Sequence, residues 1–488
     1  MKKQVFNPFL PLREYIPDGE PHVFGDRVYL FGSHETEGGS EFCNLPYVVY
    51  SAPVDDLRDW TAKGVSYDPR QDPHWSSERR FAYAPDCVQG PDGRFYLYYC
   101  LEGYFGPISV AVSESPDGKY EYYGDVRGPD GAPWHRFVTF DPAVINDSGV
   151  IRLYYGSWYP FENMRTPETH ERLDAVMSGM FGKSAEELHA EPGGVVGPVT
   201  VELATDMLTV VSGPHRIAPA VTTGTQWEQH PFFEGSSIRK VGDTYYFIYS
   251  SWLNHELCYA TSRYPDRDFV YRGAIVSNGD IGLDGRVPED RLNATGNTHG
   301  SIEKINGKWY VFYHRHTHLT RYSRQACAEP IEILPDGTIP QVEITSCGLN
   351  GGPLRDTGEY PAPICCNLTD GHMPHNEDRN NPRKTYPCVT SDGRDQFVRV
   401  TDGTWIGYKY FDFTGPGRLK GTCRGQGSGK LTVHAAMDAP AMAEMAVTSS
   451  EEWKRVETLV PFERGKAALY LKFTGEGELE LLSLKLEK

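Results

Sequence analysis

The strongest constraint in this chain is a unit that occurs five times. A tight turn of Gly with Asp, Asn or Ser leads into a strand dense in aromatic and β-branched residues. The copies are GDRVYLFGS from Gly25, DGRFYLYYC from Asp92, SGVIRLYYGS from Ser148, GDTYYFIYSS from Gly242 and NGKWYVFYHR from Asn306. Turns of this composition join antiparallel strands, because Gly and Asn accept the backbone twist a tight hairpin requires. A shorter strand precedes each copy: PHVF, DCVQ, PAVI, SSIRKV and GSIEKI. The spacing leaves room for a four-stranded sheet with its loops in every repeat. A β-sandwich alone would not explain why the whole unit recurs. Radial repetition does, and it keeps every sheet edge short. The expected fold class is therefore all-β: a five-bladed β-propeller over residues 1–347, followed by a β-sandwich domain.

The widest gap, between the third and fourth copies, changes period. Over residues 165–191, Thr166-Pro167 reads as N-cap and first helical residue, and Leu173, Val176, Met177 and Met180 recur at helical spacing. Ser184 with Glu187 reads as a capping box. This predicts a helical insertion that either packs over a blade edge or overhangs the site. A Gly/Pro-rich linker spans 348–363. Residues 364–488 then read as short alternating strands, a compact β-sandwich.

Composition excludes several partners. A net charge of −18 argues against nucleic acid and against anionic membrane surfaces. No stretch approaches the roughly 18 apolar residues that span a bilayer. The ten cysteines show no C-x-x-C pair, and the N-terminus carries no apolar run of signal-peptide length. A cytoplasmic location with reduced thiols is the expectation, and the oligomeric state is left open. The 30 tyrosines, 22 phenylalanines and nine tryptophans suit strands and the stacking faces of sugars.

One polar residue stands at a matching point ahead of each aromatic strand: Asp18 in YIPDGEPHVF, Asp86 in YAPDCVQG, Asp141 in TFDPAVIND, Glu234 in FFEGSSIR and His299 in GNTHGSIEK. Rotation about a propeller axis would bring such points to one mouth of the channel. Taken singly, an Asp beside Pro is an ordinary turn former. Glu234 is harder to explain that way, since Glu is not a turn residue and Phe232 and Phe233 precede it. Carboxylates converging on one axis repel unless their pKa values separate, an arrangement that marks function.

These motifs, in this order and register over roughly residues 5–345, resemble glycoside hydrolase family 43. The matching segments are the Asp ahead of a G-D-x-x-Y-L strand, then A-P-D, D-P, E-G and H-G-S-I. The resemblance implies an inverting hydrolase on a five-bladed propeller, with Asp18 as general base, Asp141 as pKa modulator and Glu234 as general acid. Such chemistry pairs an acid on the leaving oxygen with a base on the attacking water. Asp18 is followed by Gly19-Glu20-Pro21, which leaves Glu20 as a rival base. The resemblance carries Asp86 as a substrate contact. It makes His299 the axial His beside an ion or water, so a structural calcium ion near the axis is the expected metal, with no cofactor required for the chemistry. His314, His316 and His318 alternate and could share a strand face, but no fourth metal ligand is evident. Arg315, Tyr83, Trp158 and Trp252 are further candidates for sugar contact.

The C-terminal region, through DGTWIGYKYFDF, is similar to carbohydrate-binding module family 6, with Trp405 and Tyr408 as either binding aromatics or core. The expected substrate is an oligosaccharide or polysaccharide. The expected activity is release of arabinofuranosyl or xylosyl units by exo action, an α-L-arabinofuranosidase or β-xylosidase. A β-galactofuranosidase, a glycan phosphorylase and a non-catalytic sugar-binding propeller stand as alternatives.

Overall fold

The computed structural model describes residues 4–488 except 104–105, 135–137, 158–170, 172–173, 176, 180–181, 191–196, 220–221 and 377–384. Five antiparallel sheets follow one another along the chain. Their innermost strands are Glu20–Phe24, Ala82–Gln89, Ala143–Asp147, Phe232–Val241 and Ser301–Ile305, and we number the blades I to V accordingly. Blades I to IV have four strands and blade V has three. Hairpins join the first two strands of each blade. In blades III and V both hairpin residues are left-handed, Ser148 and Gly149 at φ 56° and 94° and Asn306 and Gly307 at 47° and 81°. That twist matches the twist of the flanking strands.

The aromatic strands come second in each blade and are almost wholly buried, as in Phe95–Leu101, where every residue is inside. Polar alternation is missing there because each blade is covered on both faces by its neighbours. Tyr29 and Phe31 pack with Leu97 and Tyr99 between blades I and II, and Tyr98 with Leu153 between II and III. Tyr154 meets Phe247 between III and IV, and Ile248 meets Val311 between IV and V. Phe312 and Ala328 of blade V meet Val28 and Leu30 of blade I, which closes the ring. A parallel bridge between Gly19 and Gly300 lies at the same seam. The N-terminal segment braces it through Asn7, whose Nδ2 donates to Glu329 Oε1 at 2.8 Å.

The described part of the insertion contains the helix Ala185–His189 with its capping box: Ser184 Oγ accepts from Glu187 N, and Glu187 Oε2 accepts from Ser184 N. Met177 and Leu188 are buried in the core between blades II and III, so this part packs onto the propeller. Thr166, Pro167, Leu173, Val176 and Met180 lie outside the described residues.

Strands from Leu354 onward form two six-stranded sheets around a second core that includes Leu419, Leu431, Leu471 and Leu481. Tyr408 is fully buried and donates to the Ala362 carbonyl, which makes it a core residue. Trp405 is half-buried, edge-on to His434 with Lys472 Nζ 4.9 Å from its ring centre. Buried polar contacts bind this sandwich to the propeller. Lys409 Nζ lies 2.9 Å from both Asp280 and Glu343. Asn367 Nδ2 donates to Asp280, and Val389 N donates to the Thr317 carbonyl.

Candidate active site

Four of the five repeat-register residues meet in a pocket of about 150 Å³ at the propeller axis. Asp18, Asp141, Glu234 and His299 line it together with Phe42, Cys43, Tyr83, Ala84, Phe140, Asn297 and Arg324. Asp18 and Asp141 stand just ahead of the inner strands of blades I and III with left-handed backbones, φ 59° and 44°. Asp tolerates this conformation better than most residues, and strained positions of this kind gather at functional sites.

Asp18 is buried and held as a carboxylate. Burial pushes its pKa up, but the Arg324 guanidinium beside it, with the Ser33 hydroxyl, outweighs this and sets it at about 2. Arg324 donates from Nη1 to Oδ1 at 2.8 Å and from Nη2 to Oδ2 at 3.2 Å, while Ser33 Oγ donates to Oδ2 at 2.7 Å. Arg324 is itself fixed by Glu35, which accepts from its Nε, its Nη2 and its backbone N–H. His314 adds a neutral brace. Burial and the nearby Arg324 hold its pKa well below the usual value, so its Nδ1 accepts from Asp18 N while Nε2 donates to the Asn297 carbonyl.

Glu234 lies in the opposite regime. Burial, then the Asp141 and Asp18 carboxylates, raise its pKa from an ordinary 4.5 to about 8. Asp141 rises to about 7, through burial and against the pull of His299. The link between the two acids is Gly235, whose N–H donates to Asp141 Oδ2 at 2.9 Å. Gly235 sits at φ 72°, and a Cβ there would lie 3.1 Å from His299 Cγ, so the E-G pair leaves room for the ring. His299 bridges the layers, with Nδ1 3.9 Å from Asp141 and Nε2 3.8 Å from Glu20. Its pKa is raised to about 9: burial lowers it, and Glu20, Asp141 and Asp18 more than compensate.

Of the other sequence candidates, Tyr83 lines the pocket and the rest of those described lie elsewhere. Asp86 is buried beneath the pocket with both oxygens engaged, Oδ1 by His22 Nε2 and Cys87 N and Oδ2 by Val144 N, so it offers nothing to a sugar. The inner strand has a register shift between Tyr83 and Asp86, which leaves Tyr83 and Ala84 at the wall. Glu20, the rival base, is also below the pocket, bound to Arg239. Arg315 points away from the pocket, donating from Nη1 to the Cys365 and Cys366 carbonyls. His314 and His316 share a face as expected, but both Nε2 atoms point to the one Asn297 carbonyl, and His318 Nδ1 accepts from Leu319 N, so the three do not form a metal site. Trp252 stands on the surface with its ring 5.2 Å from that of Phe233. Trp158 lies outside the described residues.

The axis below the pocket does not fit calcium. That ion takes six to eight oxygen ligands. Glu20, His22 and Asp86 approach one another there within 4.8 Å. Asp86 has no free oxygen, and of these three residues Glu20 alone keeps a buried oxygen, Oε1, without a partner. The Arg239 guanidinium already lies against Glu20, 3.0 Å from its Oε2, and supplies the positive charge at this place.

Three carboxyl groups in a single pocket, with pKa values driven apart by their surroundings, are an arrangement suited to acid–base chemistry on glycosidic bonds. The chain belongs to the glycosyl hydrolases family 43, whose model matches residues 7–339. It is an inverting glycosidase, and its chemistry needs no cofactor. A xylosidase/arabinosidase of Thermoclostridium stercorarium is 42% identical over 501 residues, covering 100% of this chain and 99% of that protein. A xylosidase/arabinosidase of Bacteroides ovatus is 29% identical, covering 62% of this chain and 86% of its own. Among solved structures, a β-xylosidase/α-arabinofuranosidase from a compost metagenome, in complex with xylotriose and in calcium-free form, is 25% identical with a TM-score of 0.50. The match covers 68% of this chain and 96% of that one.

Proposed function

We propose that this protein removes terminal xylosyl or arabinofuranosyl units from plant-polysaccharide oligosaccharides. Glu234 is the general acid, Asp18 the general base and Asp141 the residue that tunes and orients the acid. One observation carries this reading: Asp18 and Glu234 line the same pocket with pKa values driven apart, to about 2 and about 8. At neutral pH Glu234 holds the proton for the leaving oxygen. Asp18 is free to take a proton from the water that attacks the anomeric carbon from the other face. Bond cleavage leaves Glu234 ionised and Asp18 protonated, and exchange with solvent restores both. A pocket of about 150 Å³ offers room for one sugar unit, which favours exo action. The names of the relatives favour the pentoses.

The phosphorylase alternative needs a cation free to bind phosphate. Among the described residues, the guanidinium that lines the pocket is that of Arg324, and it is committed to Asp18 and Glu35. The ten cysteines, all free and buried, support a reducing, cytoplasmic setting, and the charge of −18 speaks against nucleic acid or anionic membranes as partners.

The test is a screen of aryl arabinofuranosides, xylosides and galactofuranosides with the wild type beside Glu234→Gln. A loss of about 10²–10⁴-fold in kcat on poor leaving groups is expected. Equal turnover by the two proteins on every substrate overturns the acid assignment. Preference for the galactofuranoside overturns the pentose reading.

A further inference from the structure

Below the catalytic pocket, the inner strands of four blades bring charged side chains onto the axis: Glu20 of blade I, Asp86 of blade II, Arg239 of blade IV and Glu303 of blade V. Arg239 is 8% exposed. Its Nη2 donates to Glu20 Oε2 at 3.0 Å and to the Pro21 carbonyl at 2.7 Å, and its Nη1 donates to the Ile238 carbonyl at 2.8 Å. Its Nε lies 3.5 Å from Glu303 Oε2. Two acidic side chains, Glu20 and Glu303, thus face one guanidinium, and the Asp86 charge acts on it as well. The other oxygen of Glu20 faces His299 Nε2 at 3.8 Å, and neither atom has another partner. His299 in turn stands 3.9 Å from Asp141. The charges alternate along the axis: guanidinium, carboxylate, imidazolium, then the acids of the pocket.

We propose that Arg239 is the built-in cation of the propeller axis. In this reading it fixes Glu20, and through it His299, beneath the catalytic acids, so that the enzyme works without a divalent ion at this place. Arg239 touches neither the pocket nor a substrate, so it is a positioning residue. A buried carboxylate stripped of its cation is strongly disfavoured, and Glu20 would then either take up a proton or recruit another cation. In both cases the support under His299 changes, while Arg239 and Glu20 themselves stand outside the pocket lining. The expected loss is therefore in kcat and not in KM. Lys keeps the charge but not the fork of donors, so it restores part of the effect. Removing the side chain altogether also exposes Glu20 and Glu303 to solution cations.

This inference rests on the catalytic reading above, so the experiment has an arm that does not depend on activity. Calcium binding to the full chain is measured by calorimetry after dialysis against chelator, beside steady-state kinetics on an aryl xyloside. The wild type is expected to show no calcium heat at millimolar ion and less than about a twofold change in kcat. Arg239→Ala is expected to lose about tenfold or more in kcat with KM within about twofold, a tenfold loss being worth 1.4 kcal/mol. It should also acquire a calcium heat and partial recovery with calcium or guanidinium, and Arg239→Lys should retain most of the rate. Stoichiometric calcium binding by the wild type, or loss of its activity on chelation, overturns the proposal. So does an Arg239→Ala enzyme of undiminished kcat. If that variant does not fold, the wild-type calorimetry and the Arg239→Lys kinetics decide the matter alone. A wild type inactive on every glycoside, yet without calcium heat, would indict the catalytic reading and leave the axial cation standing.

Discussion

Replacing Asp141 by Asn removes one negative charge beside Glu234 at almost constant volume. Glu234 is displaced from an ordinary 4.5 to about 8, with burial the first cause and Asp141 the second. That displacement is worth about 5 kcal/mol in total. A like charge at close range accounts for roughly 1–2 pKa units, so Glu234 should fall to about 6.5 in the variant. At pH 8 about half of the wild-type acid is protonated, against ~3% in Asp141→Asn, a loss of about 15-fold from protonation alone. Near pH 6 most of the variant's Glu234 still carries its proton, and the deficit there reflects lost orientation only. The assay is kcat/KM from pH 5 to 9 on an aryl xyloside with a poor leaving group, so that proton donation governs the rate. Asp141 and Glu234 titrate as a pair, so the acid limb should also simplify when one partner is gone. A basic limb that stays in place, or moves upward, refutes the claim that Asp141 holds the proton on Glu234.

Two further outcomes follow from buried charge. Lys409→Met leaves the buried Asp280 without its cation, though still hydrogen-bonded by Asn367 and Ile344, and should cost about 3 kcal/mol, read as a lower urea midpoint with kcat/KM under native conditions unchanged. Stability should also fall as pH rises from about 6 to 9. Asp141, Glu234 and His299 all have folded pKa values above their unfolded ones, at about 7, 8 and 9, so their contribution is complete below the unfolded values and lost through the folded ones. Asp18 acts in the other direction, its stabilisation present above about 3.9 and lost as pH falls through about 2. Melting temperatures across pH 4 to 9 check this, and a curve that rises from 6 to 9 contradicts it.

The blades were legible because each is written locally: turn, aromatic strand, turn. Their register also brought Asp18, Asp141, Glu234 and His299 to one point, since a rotation relates equivalent positions. What depends on depth along the axis was not legible. Glu20 follows Asp18 by two residues and points the same way, yet lies one layer down. Asp86 is drawn under the pocket by an irregularity in its strand that local sequence does not announce. Arg324 was missed because its partner Asp18 is 306 residues away. Arg315 could have been placed from strand period alone. His314 and His316 face the Asn297 carbonyl, so the residue between them must face the other side, toward Cys365 and Cys366.

The Gly19–Gly300 bridge lies at the seam where the last blade meets the first, and Asp18 is the residue beside it. Asp18, the proposed base, belongs to blade I, while Arg324 and His314, which set its charge and orientation, belong to blade V. Catalytic competence is therefore a report on whether the circle is shut. A small parting of the two ends, of the kind that mild denaturant or loss of the Asn7 brace would produce, separates the base from its cation while every individual blade remains intact. Activity should vanish before the β-sheet signal does.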